Sequence, residues 1–166
     1  MNAKYYFLPE SAKVERMKGK GEFPSLNVKS PDGIKPGGRP YKVMVVENKE
    51  FIRKQIVQIL ESERYDVVAT ASNGQEALTK IAKMDAKIDL ITTTLDMPVL
   101  DGYAFMYELS TKINRPPVVF ISDETTKGVM QDLIKMGMSD FILKPVDRRT
   151  ILYRIKNVLQ KQKNSD

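Results

Sequence analysis

The sequence predicts one doubly wound α/β domain, a five-stranded parallel sheet flanked by five helices, behind a basic N-terminal extension. Three observations point there. From Lys42 onward, five short apolar runs alternate with five amphipathic stretches. Each intervening stretch is long enough for a right-handed crossover, which makes consecutive strands parallel and puts helices on both faces. A length of 166 residues gives room for one ordinary core plus a tail.

The elements follow in order. Lys42–Val46 (KVMVV) is a continuous apolar run and reads as a buried strand. Lys49–Glu61 carries Phe51, Ile52, Ile56, Val57, Ile59 and Leu60 at helical spacing. Asp66–Thr70 is the second strand, and Asn73-Gly74 opens a helix through Ala77, Leu78, Ile81, Ala82 and Met84. Ile88–Thr93 is the third strand. A loop with Pro98 then leads to Asp101-Gly102 and a helix through Phe105, Met106 and Leu109. Pro117–Ser122 is the fourth strand, Thr126–Met136 the fourth helix and Asp140–Leu143 the fifth strand. Lys144-Pro145 breaks that strand, and Thr150–Gln160 is the last helix, with Ile151, Leu152, Ile155, Val158 and Leu159 on its apolar side.

Residues 1–40 read differently. Phe23–Pro40 is punctuated by Pro and Gly, with no helical or strand period. The expected organisation is a disordered basic extension over 1–40, a domain over 41–163 and a short tail over 164–166. Tyr5, Tyr6, Phe7 and Leu8 form one apolar cluster in the extension. Removing residues 1–39 is expected to leave the domain folded.

Composition narrows the chemistry. With no Cys, thiolate nucleophiles, disulfides and Cys-based metal sites are excluded. With no His, the commonest general base and zinc ligand is missing, as is any phosphohistidine on this chain. The net charge of +6 is uneven: residues 1–41 carry eight Lys/Arg against four Asp/Glu. The arm therefore reads as a solvated segment or a docking arm for anionic surfaces or partners. No basic patch interleaved with aromatics supports nucleic-acid binding. No apolar run reaches the roughly 18–20 residues that span a bilayer, and no secretory signal opens the sequence. A cytoplasmic protein is expected.

In a doubly wound sheet the ligand site lies beyond the carboxyl ends of the strands, where the strand order switches. The residues to read are thus Glu47-Asn48, Thr94, Ser122 and Lys144. Together with DLITTTLDMPVLDG (Asp89–Gly102), these residues resemble the receiver domains of response regulators. Within that family the chain is most similar to CheY-like single-domain chemotaxis regulators. The resemblance covers residues 42–160 and implies a flavodoxin-like fold. It places Glu47-Asn48 where the family carries its metal-binding acids and Thr94 where it carries the phosphoacceptor Asp. Ser122 stands at the switch hydroxyl, Phe141 at the switch aromatic, and Lys144-Pro145 at a Lys-Pro usually joined by a cis peptide.

The departures from the family are chemical. The acceptor carboxylate is replaced by a hydroxyl, and the second acid by the neutral Asn48. Receiver phosphorylation transfers a phosphoryl group in line to a carboxylate, with Mg²⁺ clamping its oxygens. Thr94 stays protonated at neutral pH, and only Glu47 remains as an anionic metal ligand. Mg²⁺, the family's ligand, therefore meets a degraded site here, and no cofactor is expected. Lys144 has Glu47 as its one evident local anion, so the two are expected to pair.

The resemblance implies a non-enzymatic module of two-component, chemotaxis-like signalling that binds proteins without phosphorylation, a pseudo-receiver. Its implied partners are a histidine kinase, a phosphatase or a motor-type target. They would dock on the face made by the fourth helix, fifth strand and last helix, about Thr126 to Gln160. Two alternatives stand beside it: a phosphorylatable switch using Thr94 or Asp96, and an adaptor tethered by its basic arm to an anionic surface. The sequence carries no DNA-binding or catalytic domain beside the receiver pattern, so a transcription factor or output enzyme is not expected.

Overall fold

A computed structural model describes residues 29–164. The Tyr5–Leu8 cluster, the first 28 residues of the expected extension and the last two of the expected tail lie outside the described residues. Five strands and five helices alternate without exception: β1 Lys42–Val46, α1 Glu50–Glu61, β2 Asp66–Ala71, α2 Gly74–Lys83, β3 Leu90–Thr93, α3 Gly102–Ser110, β4 Val118–Ser122, α4 Lys127–Lys135, β5 Asp140–Leu143 and α5 Arg148–Asn164. All pairings are parallel, in the order β2-β1-β3-β4-β5. The order reverses between β1 and β3, which opens the crevice at the ends of those two strands.

The core has two halves because successive strand residues point to opposite faces. Val43, Val45, Leu90, Val119 and Ile121 face α1 and α5, packing on Ile56, Leu60, Ile151 and Ile155. Met44, Val46, Ile91, Val118 and Phe120 face the other way, onto Ala77 of α2, Phe105 and Met106 of α3 and Leu133 of α4. Strands buried on both faces explain the unbroken apolar runs in the sequence. Polar side chains start the helices. Asn73, Asp101 and Thr126 accept from the backbone N–H groups of Glu76, Ala104 and Val129. No helix among the described residues is long and apolar enough to cross a membrane.

The structure adds an element that composition conceals. The compact unit begins at Pro31, not at Tyr41, so Pro31–Pro40 belongs to the folded body rather than to a loose extension. Ile34 and Pro40 form an antiparallel bridge. The Gly33 N–H donates to the Glu63 carbonyl at 2.7 Å, and the Tyr41 N–H to the Gly33 carbonyl at 2.8 Å. Asp32 reaches Lys156 of α5 at 3.5 Å, and Lys35 reaches Asp89 at 3.2 Å. Tyr41 and Tyr65 pack with ring centroids 6.2 Å apart. Burial, reinforced by Asp32, pushes the Tyr65 hydroxyl well above its usual range. This strap crosses the amino-terminal edge of the sheet, opposite the crevice. A Cβ at Gly33 would overlap the backbone of Glu63, Arg64 and Tyr65.

Two predictions follow from this packing. Gly33→Ala should lower unfolding stability by about 1–3 kcal/mol, the usual cost of overpacking. A chain starting at Tyr41 should be less stable than one starting at Pro31 by a similar amount, since several buried hydrogen bonds are lost together. Urea denaturation compares all three, and equal midpoints would remove the strap from the folding unit. The second concerns acid. The Ser72 N–H, the Ser72 hydroxyl and Lys80 hold Glu76 down from 4.5 to about 2. The stability Glu76 contributes is present above its unfolded value and is lost as pH falls through this window. Glu76→Gln should flatten that part of the stability–pH curve, with the effect reduced by the partial exposure of Glu76.

Candidate functional site

The sheet brings the strand-end residues to one place. Glu47 follows β1, Thr94 follows β3, Ser122 ends β4 and Lys144 follows β5. Glu47, Thr94 and Ser122 are each no more than 2% exposed. Gly102 makes the close approach possible: its N–H donates to the Leu95 carbonyl, and a Cβ there would collide with the Thr94 carbonyl and the Leu95 Cα. The Lys144-Pro145 peptide is cis.

The pairing of Lys144 with Glu47 is present. Nζ lies 2.9 Å from Glu47 Oε1, with the two side chains 9% and 2% exposed. The ammonium approaches off the ideal hydrogen-bond axis, so the contact is an ion pair first. The other carboxylate oxygen accepts the Lys49 N–H at 2.9 Å, and Arg53 Nη1 donates to the Glu47 carbonyl at 2.8 Å. Lys49 and Arg53 carry no strand-end signal in the sequence, so reading strand ends alone misses them. Asn48 is exposed at the rim.

Thr94 sits between the charged pair and Ser122. Lys144 Nζ lies 3.4 Å from Thr94 Oγ1, which lies 3.3 Å from Ser122 Oγ. Ser122 Oγ also accepts the Leu95 N–H at 3.1 Å. Asp96, the other acceptor candidate, is exposed two residues along the loop. Phe141 is half-buried and stacked on Phe120 of β4, with centroids 5.9 Å apart and planes 8° from parallel.

The donor set does not fit Mg²⁺. That ion holds its waters tightly and needs anionic oxygens in near-octahedral geometry. The one carboxylate present, Glu47, has each oxygen engaged, one by an ammonium and one by a backbone amide. Among the described residues no group of three or more acids is placed to hold a metal ion.

The sequence model of the response regulator receiver domain family matches residues 43–156. The chain belongs to that family. The chemotaxis protein CheY of Treponema pallidum is 37% identical over 144 residues, covering 87% of this chain and 100% of that protein. A match of that length necessarily takes in the Pro31–Tyr41 strap. The CheY of Listeria monocytogenes is 32% identical over 67% of this chain and 92% of its own length. The protein-glutamate methylesterase/protein-glutamine glutaminase of Bacillus subtilis is 37% identical over 122 residues, and the match spans only 33% of that enzyme. Among solved structures, a CheX–CheY–BeF3–Mg²⁺ complex from Borrelia burgdorferi superposes with a TM-score of 0.74 at 31% identity, over 78% of this chain and 98% of that one. This chain is therefore a CheY-like receiver domain of chemotaxis-like signalling, with the expected flavodoxin-like architecture.

The ion pair yields a stability prediction. Lys144→Met strands a buried carboxylate, and breaking such a pair costs about 3–5 kcal/mol. Adding Glu47→Gln should recover most of that loss. Denaturation of the four chains of this double-mutant cycle gives the coupling. Additive effects would mean that the two residues do not act as a pair.

Proposed function

We propose that this receiver works as a phosphorylation-independent protein-binding module, a pseudo-receiver, in a chemotaxis or two-component pathway of the cytoplasm. The observation that carries the reading is Thr94. On the resemblance, the acceptor position holds a buried hydroxyl contacted by Lys144 and Ser122, and the buried carboxylate of the site, Glu47, is already engaged by Lys144. A carboxylate attacks phosphorus as an anion, whereas a hydroxyl must first lose a proton. Each ~1.4 kcal/mol this adds to the barrier slows transfer about tenfold. The missing Mg²⁺ site removes charge stabilisation as well.

On this reading the chain is not an enzyme, and its output is a surface. The face expected from the resemblance is apolar and open. Ile134 of α4, Leu143 of β5 and Tyr153 of α5 are 60%, 54% and 64% exposed. A groove of about 610 Å³ lined by Met130, Ile134, Met138, Phe141 and Leu143 runs between α4 and β5. Its apolar lining suits a protein partner of the pathway, such as a kinase, phosphatase or motor-type target.

Incubation with acetyl phosphate and Mg²⁺, read by intact mass, should give no phosphorylated species, and millimolar Mg²⁺ should leave the melting temperature unchanged. The double change Asn48→Asp with Thr94→Asp should regain Mg²⁺ binding and some phosphoryl uptake, and that uptake should again fall with Lys144→Ala. Ready uptake by the unmodified chain, with the label on Thr94 or Asp96, would overturn the reading in favour of a switch with an unusual acceptor.

A further inference from the structure

The contacts around Thr94 form a chain from Lys144 to Ser122. An ammonium only donates, so Lys144 Nζ donates to Thr94 Oγ1 across 3.4 Å. The single proton of the Thr94 hydroxyl then donates to Ser122 Oγ across 3.3 Å. Ser122 Oγ accepts a second bond from the Leu95 N–H at 3.1 Å. Ser122 Oγ thus accepts from both Thr94 and Leu95. One buried oxygen, on a residue 2% exposed, joins the ends of β3, β4 and β5. Each contact is long, and the arrangement gains its hold from their convergence. Both outer strands lead to the same aromatic pair: Phe120 lies two residues before Ser122, Phe141 three before Lys144, and the two rings stack.

We propose that Thr94 is a positioning residue whose hydroxyl ties the three strand ends together and fixes one arrangement of Ser122, Lys144 and the Phe120–Phe141 stack, with no modification of the site. The proposal rests on the pseudo-receiver reading and deepens it. Phe141 also lines the groove between α4 and β5, so the tie would reach that groove through the aromatic stack. Thr94→Val keeps the branched shape and deletes the hydroxyl. Thr94→Ser keeps the hydroxyl and deletes a buried methyl. A tie and a packing role therefore rank the two variants in opposite orders.

The experiment is amide hydrogen exchange by NMR on the full chain, without phosphodonor, together with the aromatic resonances of Phe141. For the tie, the Leu95 amide should exchange about tenfold faster in Thr94→Val, as expected for losing one buried hydrogen bond. Thr94→Ser should stay within about twofold of the unmodified chain, and the Phe141 ring signals should shift or broaden in the valine variant alone. Ser122→Ala should accelerate Leu95 at least as much, and adding Thr94→Val to it should change nothing further. Leu95 exchange unchanged in Thr94→Val, or faster in Thr94→Ser than in Thr94→Val, overturns the proposal. If the valine variant does not fold, Ser122→Ala carries the test from the β4 side through the ring signals: unchanged Phe141 signals then overturn it. Phosphoryl uptake is measured separately by intact mass. A chain that takes up phosphate yet shows the tie ranking refutes the function while keeping the tie. A chain that takes up none and lacks the ranking does the reverse.

Discussion

The site is organised around one buried charge. Lys144 stands at the end of β5 and Glu47 at the end of β1, with β3 and β4 between them. Three inter-strand gaps separate them, about 14 Å at ~4.8 Å each. The two long side chains reach toward each other above Thr94 and Ser122 and meet at 2.9 Å. An ammonium this deeply buried needs an anion, and with Thr94 and Asn48 neutral, Glu47 supplies it. The extra methylene of Glu over Asp serves that reach. Glu47 is held for the task from its other side, by the Lys49 amide and by Arg53 on its carbonyl.

The frame itself does not depend on the pair. The frame is set by the two core halves, and neither contains Glu47, Thr94, Ser122 or Lys144; of the site residues only Phe141 packs on one of them. Right-handed crossovers and the strand order then bring the same four strand ends together whatever side chains they carry. Function in such folds lives in the grafted site. Here Thr94 and Asn48 stand at strand ends outside both core halves, so the scaffold forms without reference to them.

Much of this was legible in the sequence, for identifiable reasons. Unbroken runs such as KVMVV and VVFIS could only be strands covered on both faces, and the strand-end residues follow each run directly. Boundaries moved where a side chain did unexpected work. α5 starts at Arg148 rather than Thr150 because the Asp147 carboxylate accepts the Thr150 N–H and hydroxyl. β3 starts at Leu90 because Asp89 turns to accept the Lys42 N–H and to pair with Lys35. The strap stayed hidden because its Pro and Gly residues, read locally, describe a linker. Its partners Glu63, Asp89 and Lys156 are far away in sequence. In the site, the Lys144–Glu47 pair followed from charge balance. The Thr94–Ser122 contact did not, since a hydroxyl has no charge to balance and its direction depends on the backbone around Gly102.

Charge balance gives the last step. A receiver pocket with several carboxylates against one lysine is net negative, and close like charges repel strongly at low dielectric. A bound divalent cation relieves that repulsion, so in such a pocket metal occupancy and stability are linked. Here the buried charges at the strand ends are Glu47 and Lys144, which pair, while Thr94 and Ser122 are neutral. Around Thr94 stand a set of hydrogen bonds and one ion pair, all within the chain. Such a network resists reorganisation because any rearrangement leaves a buried donor or charge unpaired. On the reading proposed above, the strand ends are a fixed support for the α4–β5 surface, and a change in that surface comes from what binds to it.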